Sequence, residues 1–336
     1  MAGYGKETGT EGYTIPLMRH DFVANKEVGS PEIMLGISWN SGTGKTTAAQ
    51  LCTVLKTLTD TGNIIHLEGD GAHLYPRWHE MRDQVTHLDP AANDLAAELT
   101  HLLMLREWNN ISRREYDHHT GRFTEPVNIV PRWGVVVYTW LHALYSADLR
   151  NVFDLTIFVE PDEVLAKHQK IVRDMKERNH PKEKIEAQIQ RRQPDREKHI
   201  DPQWPYADII VRLYPKNEIT VENIWNPDLE VELNIEFKIK EDIDVQALLR
   251  YLQKVKTLVL RHEHINTTVN RNILSFGGTI SNEELMHIAS DLFPESANRL
   301  QHFPLEQWIN GLIQLVALYV ANHKMRQKNI QQVVEL

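Results

Sequence analysis

Residues 33–47, IMLGISWNSGTGKTT, constrain this chain more than any other stretch: an apolar, β-branched run leads into a glycine-rich turn, then Lys45-Thr46-Thr47 and a helix-forming segment. Strand, small-residue turn and helix in that order point successive backbone N–H groups at phosphate oxygens, with the lysine adding charge and the next hydroxyl suited to Mg²⁺. The expected nucleotide-binding residues are therefore Asn40, Ser41, Gly42, Thr43, Gly44, Lys45, Thr46 and Thr47, with Thr46 as the metal ligand. The pattern G-x-x-x-x-G-K-[ST] puts its first glycine at position 39, where this chain carries Trp39. A bulky indole stands where the turn normally has no side chain.

The rest of the chain alternates strand-like and helix-like segments. Strands are expected at 33–38, 63–67, 135–138, 155–159 and 207–213, with a short one near 114–116. Helices are expected at 45–59, 92–107, 161–178 and 182–193, the last two broken at Pro181. Continuous apolar strands between helices imply a parallel sheet covered on both faces. Beyond Pro215 the pattern changes: Glu230 to Ile239 alternates with period two, as an antiparallel strand with one wet face does. Helices at 243–254, 281–291 and 305–324 follow. The expected organisation is a flexible leader (1–30), a parallel α/β unit (31–215) and a smaller α+β accessory domain (216–336).

A formal net charge of -9 gives no global basic surface for nucleic acid, so any anion site must be a local cluster. One cysteine, Cys52, excludes an intramolecular disulfide framework and suits a reducing compartment. No apolar run reaches the roughly 18 residues of a membrane span, and no signal-peptide pattern is present, so a soluble cytoplasmic protein is expected.

Further blocks fall in a recognisable order: Glu68-Gly69-Asp70-Gly71-Ala72-His73, Thr86 to Asn93, Tyr116-Asp117-His118-His119-Thr120-Gly121, Leu141-His142, Lys170 to Arg178, and Ile200-Asp201-Pro202-Gln203. With the phosphate loop, they make residues 33–215 resemble the phosphoribulokinases and the related uridine kinases, the later blocks standing closer to phosphoribulokinase. The resemblance implies a P-loop kinase fold using ATP and Mg²⁺, with a sugar-phosphate or nucleoside acceptor, and association into dimers or larger assemblies. It makes Asp70 the base for the attacking hydroxyl, with the bland alternative of an Asp capping a turn. His73, Arg77, Tyr116 and His118 become acceptor contacts. Lys170, Arg173 and Arg178 become a charged lid over the phosphoryl groups, although such a run on a helix is commonly a solvated face.

Against the same family pattern, Thr139 stands where a carboxylate would hold Mg²⁺ and Trp140 where a glycine would sit. Gly71 and Ala72 replace a bulkier polar and aromatic pair. These departures sit at positions that face nucleotide or substrate, and Trp39 and Trp140 are expected at the phosphate mouth. Two functions therefore stand side by side: a kinase acting on a sugar phosphate such as ribulose 5-phosphate, or on a nucleoside; and a catalytically impaired member that binds or regulates. The long C-terminal helix, with Trp308, Ile309, Leu312, Ile313, Leu315 and Val316, offers an apolar stripe expected to be core.

Overall fold

The computed structural model of the protein describes residues 33–39, 51, 54–58, 63–131, 134–265 and 269–334. The expected nucleotide-binding positions Asn40 to Thr47, Cys52 and the expected leader lie outside the described residues.

The strands are β1 (Ile33–Trp39), β2 (Ile64–Glu68), β3 (Ile111–Arg113), β4 (Tyr116–Asp117), β5 (Arg122–Phe123), β6 (Val127–Ile129), β7 (Val135–Thr139), β8 (Leu155–Pro161), β9 (Ile209–Pro215), β10 (Leu233–Lys240), β11 (Leu258–Ile265) and β12 (Arg271–Gly278). Eight of them form one sheet in the order β11-β12-β10-β9-β8-β1-β7-β2. From β9 to β2 every neighbouring pair is parallel. Every residue of β1 and β7 is buried, which is why both strands read as unbroken apolar runs rather than alternating ones.

The expected boundary near 215–228 falls in the connection from β9 to β10. Those strands pair antiparallel, Ile235 opposite Leu213 and Ile239 opposite Ile209, so the sheet continues across it. One apolar cluster extends from Ile33 to Ala321. It takes in Leu312, Ile313, Leu315 and Val316 of the helix Trp308–Val334, so the C-terminal stripe is core. No helix among the described residues is long and apolar enough to cross a membrane.

Several element ends differ from the sequence expectation for identifiable reasons. The helix expected from 92 begins at Leu95, because Asp94 caps it by accepting from Ala97 N at 3.0 Å. The strand expected at 114–116 does not form: β3 stops at Arg113 and β4 starts at Tyr116. The Arg114 side chain between them donates to the carbonyls of Gly71 and His73, at 3.1 and 2.7 Å. The hairpin β11–β12 was not expected, because the outer half of β11, Arg-His-Glu-His, faces solvent and shows no apolar period.

Candidate active site

In an open parallel sheet the carboxyl ends of the strands gather on one edge, and ligands bind in the crevice outside them. Here that edge is marked by Trp39, Glu68, Thr139 and Pro161. Asp70 follows β2 by two residues in a single buried turn, Gly69–Ala72. Two arginines clamp the turn. Arg113 Nη2 donates to Glu68 O at 2.8 Å while ion-pairing with buried Glu98, and Arg114 holds the carbonyls of Gly71 and His73 as described. The clamp leaves no room for a side chain at Gly71, whose Cβ would lie 2.3 Å from Arg114 O. The small residue that departs from the family pattern is thus required by the local packing.

Asp70 is 8% exposed. Its Oδ2 lies 3.0 Å from His118 Nε2, and its Oδ1 3.8 Å from His73 Nε2. The tautomer of His73 follows from its neighbours. Asn93 Nδ2 donates to His87 O at 3.1 Å and Asp89 O at 2.8 Å, which fixes the amide with Oδ1 toward His73. His73 Nδ1 therefore carries the proton in the 2.6 Å contact with that oxygen, and Nε2 faces Asp70 as an acceptor. Burial holds the His73 imidazole below its ordinary value despite the nearby Asp70 charge. Burial also lowers His142, to about 4, and its Nε2 lies 3.2 Å from His87 O. Tyr116 packs edge-on against both His73 and His118. Arg77 donates from Nη2 to His118 O.

The helix Glu163–Lys176 brings a second group into place. Lys170, Arg173 and Arg178 all bond the carboxylate of Asp174, which is fully buried. Burial alone would raise that carboxyl, but the Lys170 bond and the two guanidinium charges keep it below the usual range. Three cations share one anion, so the cluster keeps a positive excess. Burial, and then the charge of Arg192, brings Lys170 down to about 8. The bland alternative of a solvated helical face does not hold for Lys170, which is 6% exposed.

Arg192, on the helix Lys182–Asp195, was not singled out by sequence. Burial and the repulsion of Arg173 bring it down to about 10, and it also feels Arg82. Arg82 in turn feels Asp70 and Arg77. His87, lowered well below its ordinary value by burial and by Arg192, also feels Asp70. These mutual fields link the Asp70 group and the Lys170 group as one basic cluster, called here the basic bowl. Of the expected acceptor residues, the bowl contains His73, Arg77, Tyr116, His118, Lys170, Arg173 and Arg178; Arg82, Asn93, Asp174 and Arg192 are added to them.

The part of the edge at the ends of β1 and β7, where the sequence places the nucleotide, is different. Trp39 is 4% exposed and pairs with Val159 of β8. Thr139 donates its hydroxyl to Leu67 O at 3.2 Å and accepts from His66 Nε2 at 3.0 Å. Its oxygen is engaged inside the sheet. Trp140, fully buried, lies against Gly69, where a Cβ would come within 2.2 Å of the indole Cγ. Its Nε1 has no hydrogen-bond partner. Across β2 and β7, Glu68 stands opposite Thr139, and ligand atoms of Glu68, Asp70 and His118 lie within 4.8 Å of one another.

A mostly parallel sheet of this kind, with helices on its faces, is a P-loop kinase α/β fold, similar to the solved phosphoribulokinase from Rhodobacter spheroides. That match has a TM-score of 0.60 at 18% identity, covering 89% of this chain and 99% of the other, and the likeness is one of fold. The chain belongs to the Phosphoribulokinase / Uridine kinase family, whose profile its residues 34–220 match. It is 31% identical over 199 residues to the chloroplastic phosphoribulokinase of Spinacia oleracea, covering 54% of this chain and 49% of that one. It is 33% identical over 188 residues to the phosphoribulokinase of Synechocystis sp., covering 54% of each. A uridine kinase of Listeria monocytogenes is 25% identical over 196 residues, covering 56% of this chain and 91% of that one. The chain spans about half the length of the Spinacia and Synechocystis relatives it matches.

Proposed function

We propose that the protein transfers the γ-phosphoryl group of Mg²⁺·ATP to a hydroxyl of a sugar phosphate, with ribulose 5-phosphate as the leading acceptor. The observation that carries this reading is the placement of Asp70. It is a buried carboxylate just past the carboxyl end of a parallel strand, coupled to a bowl of arginines with few acids to neutralise it.

Transfer of a phosphoryl group needs positioning and charge neutralisation more than covalent chemistry. Asp70 accepts the proton of the attacking hydroxyl. His118 donates to its Oδ2, and His73, held neutral with its proton on Nδ1, offers Nε2 to an acceptor hydroxyl. Arg77, Arg82, Lys170, Arg173, Arg178 and Arg192 receive the acceptor's phosphate and the charge developing on the moving group. Asn40 to Thr47 hold the nucleotide phosphates, with Lys45 supplying charge and Thr46 a hydroxyl for the metal. The neighbouring carboxylates of Glu68 and Asp70 fit a divalent cation. We assign to Glu68 the carboxylate role that Thr139 lacks; bound Mg²⁺ would neutralise phosphate charge there.

A second reading is favoured by the buried Trp39 and Trp140 and by the engaged Thr139 hydroxyl: a chain that binds the acceptor without transferring to it. One experiment separates the two. Mg²⁺·ATP binding and phosphoryl transfer are measured across ribulose 5-phosphate, other pentose phosphates and uridine, with Asp70→Asn as the control. The kinase reading expects transfer to a sugar phosphate that Asp70→Asn lowers by about 10²–10⁴-fold, with acceptor binding retained. Acceptor binding without any transfer supports the regulatory reading. Transfer to uridine alone removes the sugar-phosphate assignment.

A further inference from the structure

Behind the basic bowl, the helix Lys182–Asp195 ends in an unusual way. Pro194 sits in its last turn, and the chain continues as a single π-turn, Arg196–Ile200. Wide turns of this kind re-aim side chains, and here the turn buries His199 to 9% exposure. His199 Nε2 is buried and has no hydrogen-bond partner. The carboxylates of Asp195 and Asp89 stand beside the imidazole ring: one ligand atom from each of the three residues lies within 4.8 Å of the other two.

Neither carboxylate is neutralised by an ion pair with Lys, Arg or His among the described residues. Asp195 accepts at Oδ2 from Thr86 Oγ1 at 2.6 Å, and Asp89 accepts at Oδ1 from Ala91 N at 2.9 Å. The remaining oxygen of each has no hydrogen-bond partner among the described residues. The site thus combines two carboxylates close enough to repel with an orphaned imidazole nitrogen. An orphaned nitrogen of this kind and two uncompensated carboxylates are both unfavourable in a half-buried setting, and a single divalent cation relieves both.

We propose that Asp89, Asp195 and His199 form a divalent-cation site, separate from the nucleotide metal, that ties the Thr86–Asn93 loop to the end of the helix Lys182–Asp195. One imidazole and two carboxylates suit Mn²⁺ or the borderline ion Zn²⁺ better than Mg²⁺ or Ca²⁺. The two elements it joins both serve the bowl. The loop carries Asn93, which fixes the His73 tautomer, and the helix carries Arg192 one turn before Asp195. An ion here stiffens the acceptor side without touching the acceptor.

The test uses the full chain, stripped of metal by a chelator and titrated with Mn²⁺ alone, without ATP, following loss of the free-ion EPR signal. The Glu68–Asp70–His118 group could also take Mn²⁺, so Asp70→Asn with His118→Asn serves as the background in which that group is disabled. The expected result is that this background still binds Mn²⁺, and that the bound ion shows imidazole nitrogen coupling in pulsed EPR. His199→Phe and Asp195→Asn then weaken binding in that background by at least the roughly 10–100-fold that follows even loss of an outer-shell partner. The proposal is overturned if the background variant binds no Mn²⁺, or if its bound ion shows no nitrogen coupling. It is equally overturned if His199→Phe, folded by circular dichroism, binds as tightly as its parent. The pulsed EPR measurement leaves residue 199 intact, so a variant that fails to fold does not remove the test.

Discussion

The two halves of the strand-end edge have been treated differently. On the acceptor half, polar groups are gathered: Asp70, His73 and Asn93 lie in one buried chain, and Lys170, Arg173 and Arg178 converge on buried Asp174. On the nucleotide half, the residues that depart from the family pattern have joined the scaffold. Trp39 is in the apolar core, Trp140 fills the space above Gly69, and the Thr139 hydroxyl is bonded within the sheet. Departure from a motif therefore need not mean decay. At these positions it is compensated by packing, and the question becomes whether chemistry has moved to a neighbouring group.

The contrast can be broken most directly at Trp140. If the indole is structural, Trp140→Ala destabilises the fold by about 3–5 kcal/mol, read from denaturant midpoints at constant m. A variant of unchanged stability would return Trp140 to the list of functional candidates. Asp174→Asn attacks the opposite half and costs roughly 3–5 kcal/mol, because three cations lose the buried charge they share. Thermal melts at two salt concentrations check it, and salt should recover only part of the loss.

A finer comparison sets Glu68→Gln against Thr139→Val. With the metal carboxylate supplied by Glu68, the first lowers turnover by about 10²-fold and raises the Mg²⁺ requirement. The second, which removes a hydroxyl already engaged with Leu67 and His66, leaves turnover within about twofold of the parent, since it removes no group that faces transition-state charge. The reverse pattern would make Thr139 the ligand.

The smallest effect is a shift in pH. Lys170 titrates at about 8 in the folded protein, below its ordinary 10.5, so its charge is lost as pH rises through 8. Turnover should show an alkaline limb there, displaced upward in Lys170→Arg because a guanidinium keeps its proton. The sign for stability is opposite. Between about 8 and 10.5 the unfolded chain binds the extra proton, so this group makes folding more favourable as pH rises through that window.

Much of the fold was legible because the parallel strands are buried on both faces, and strands such as Val135–Thr139 declare themselves as unbroken apolar runs. The β11–β12 hairpin was not, since β11 is an edge strand with its polar residues in solvent. Local motifs made Asp70 and the Lys170 segment legible as candidates, and the structure brings their side chains into buried polar groups. Arg192 was hidden for a physical reason. It is adjacent to Arg191, which reaches out to Arg82 O and Asp83, and only helix phase separates the inward residue from the outward one. That phase has one faint trace in the sequence: Gln188, one turn before Arg192, is the residue that contacts Lys170.

The contact between Trp140 and Gly69 also sets an order on how this site could change. A glycine at 140 would leave a hole the size of an indole under the turn that carries Asp70, while any larger residue at 69 collides with the ring at once. Neither position can move first without harm, so the two are locked as a pair. A lineage that acquired this tryptophan can return to glycine at 140 only through a form that carries that hole.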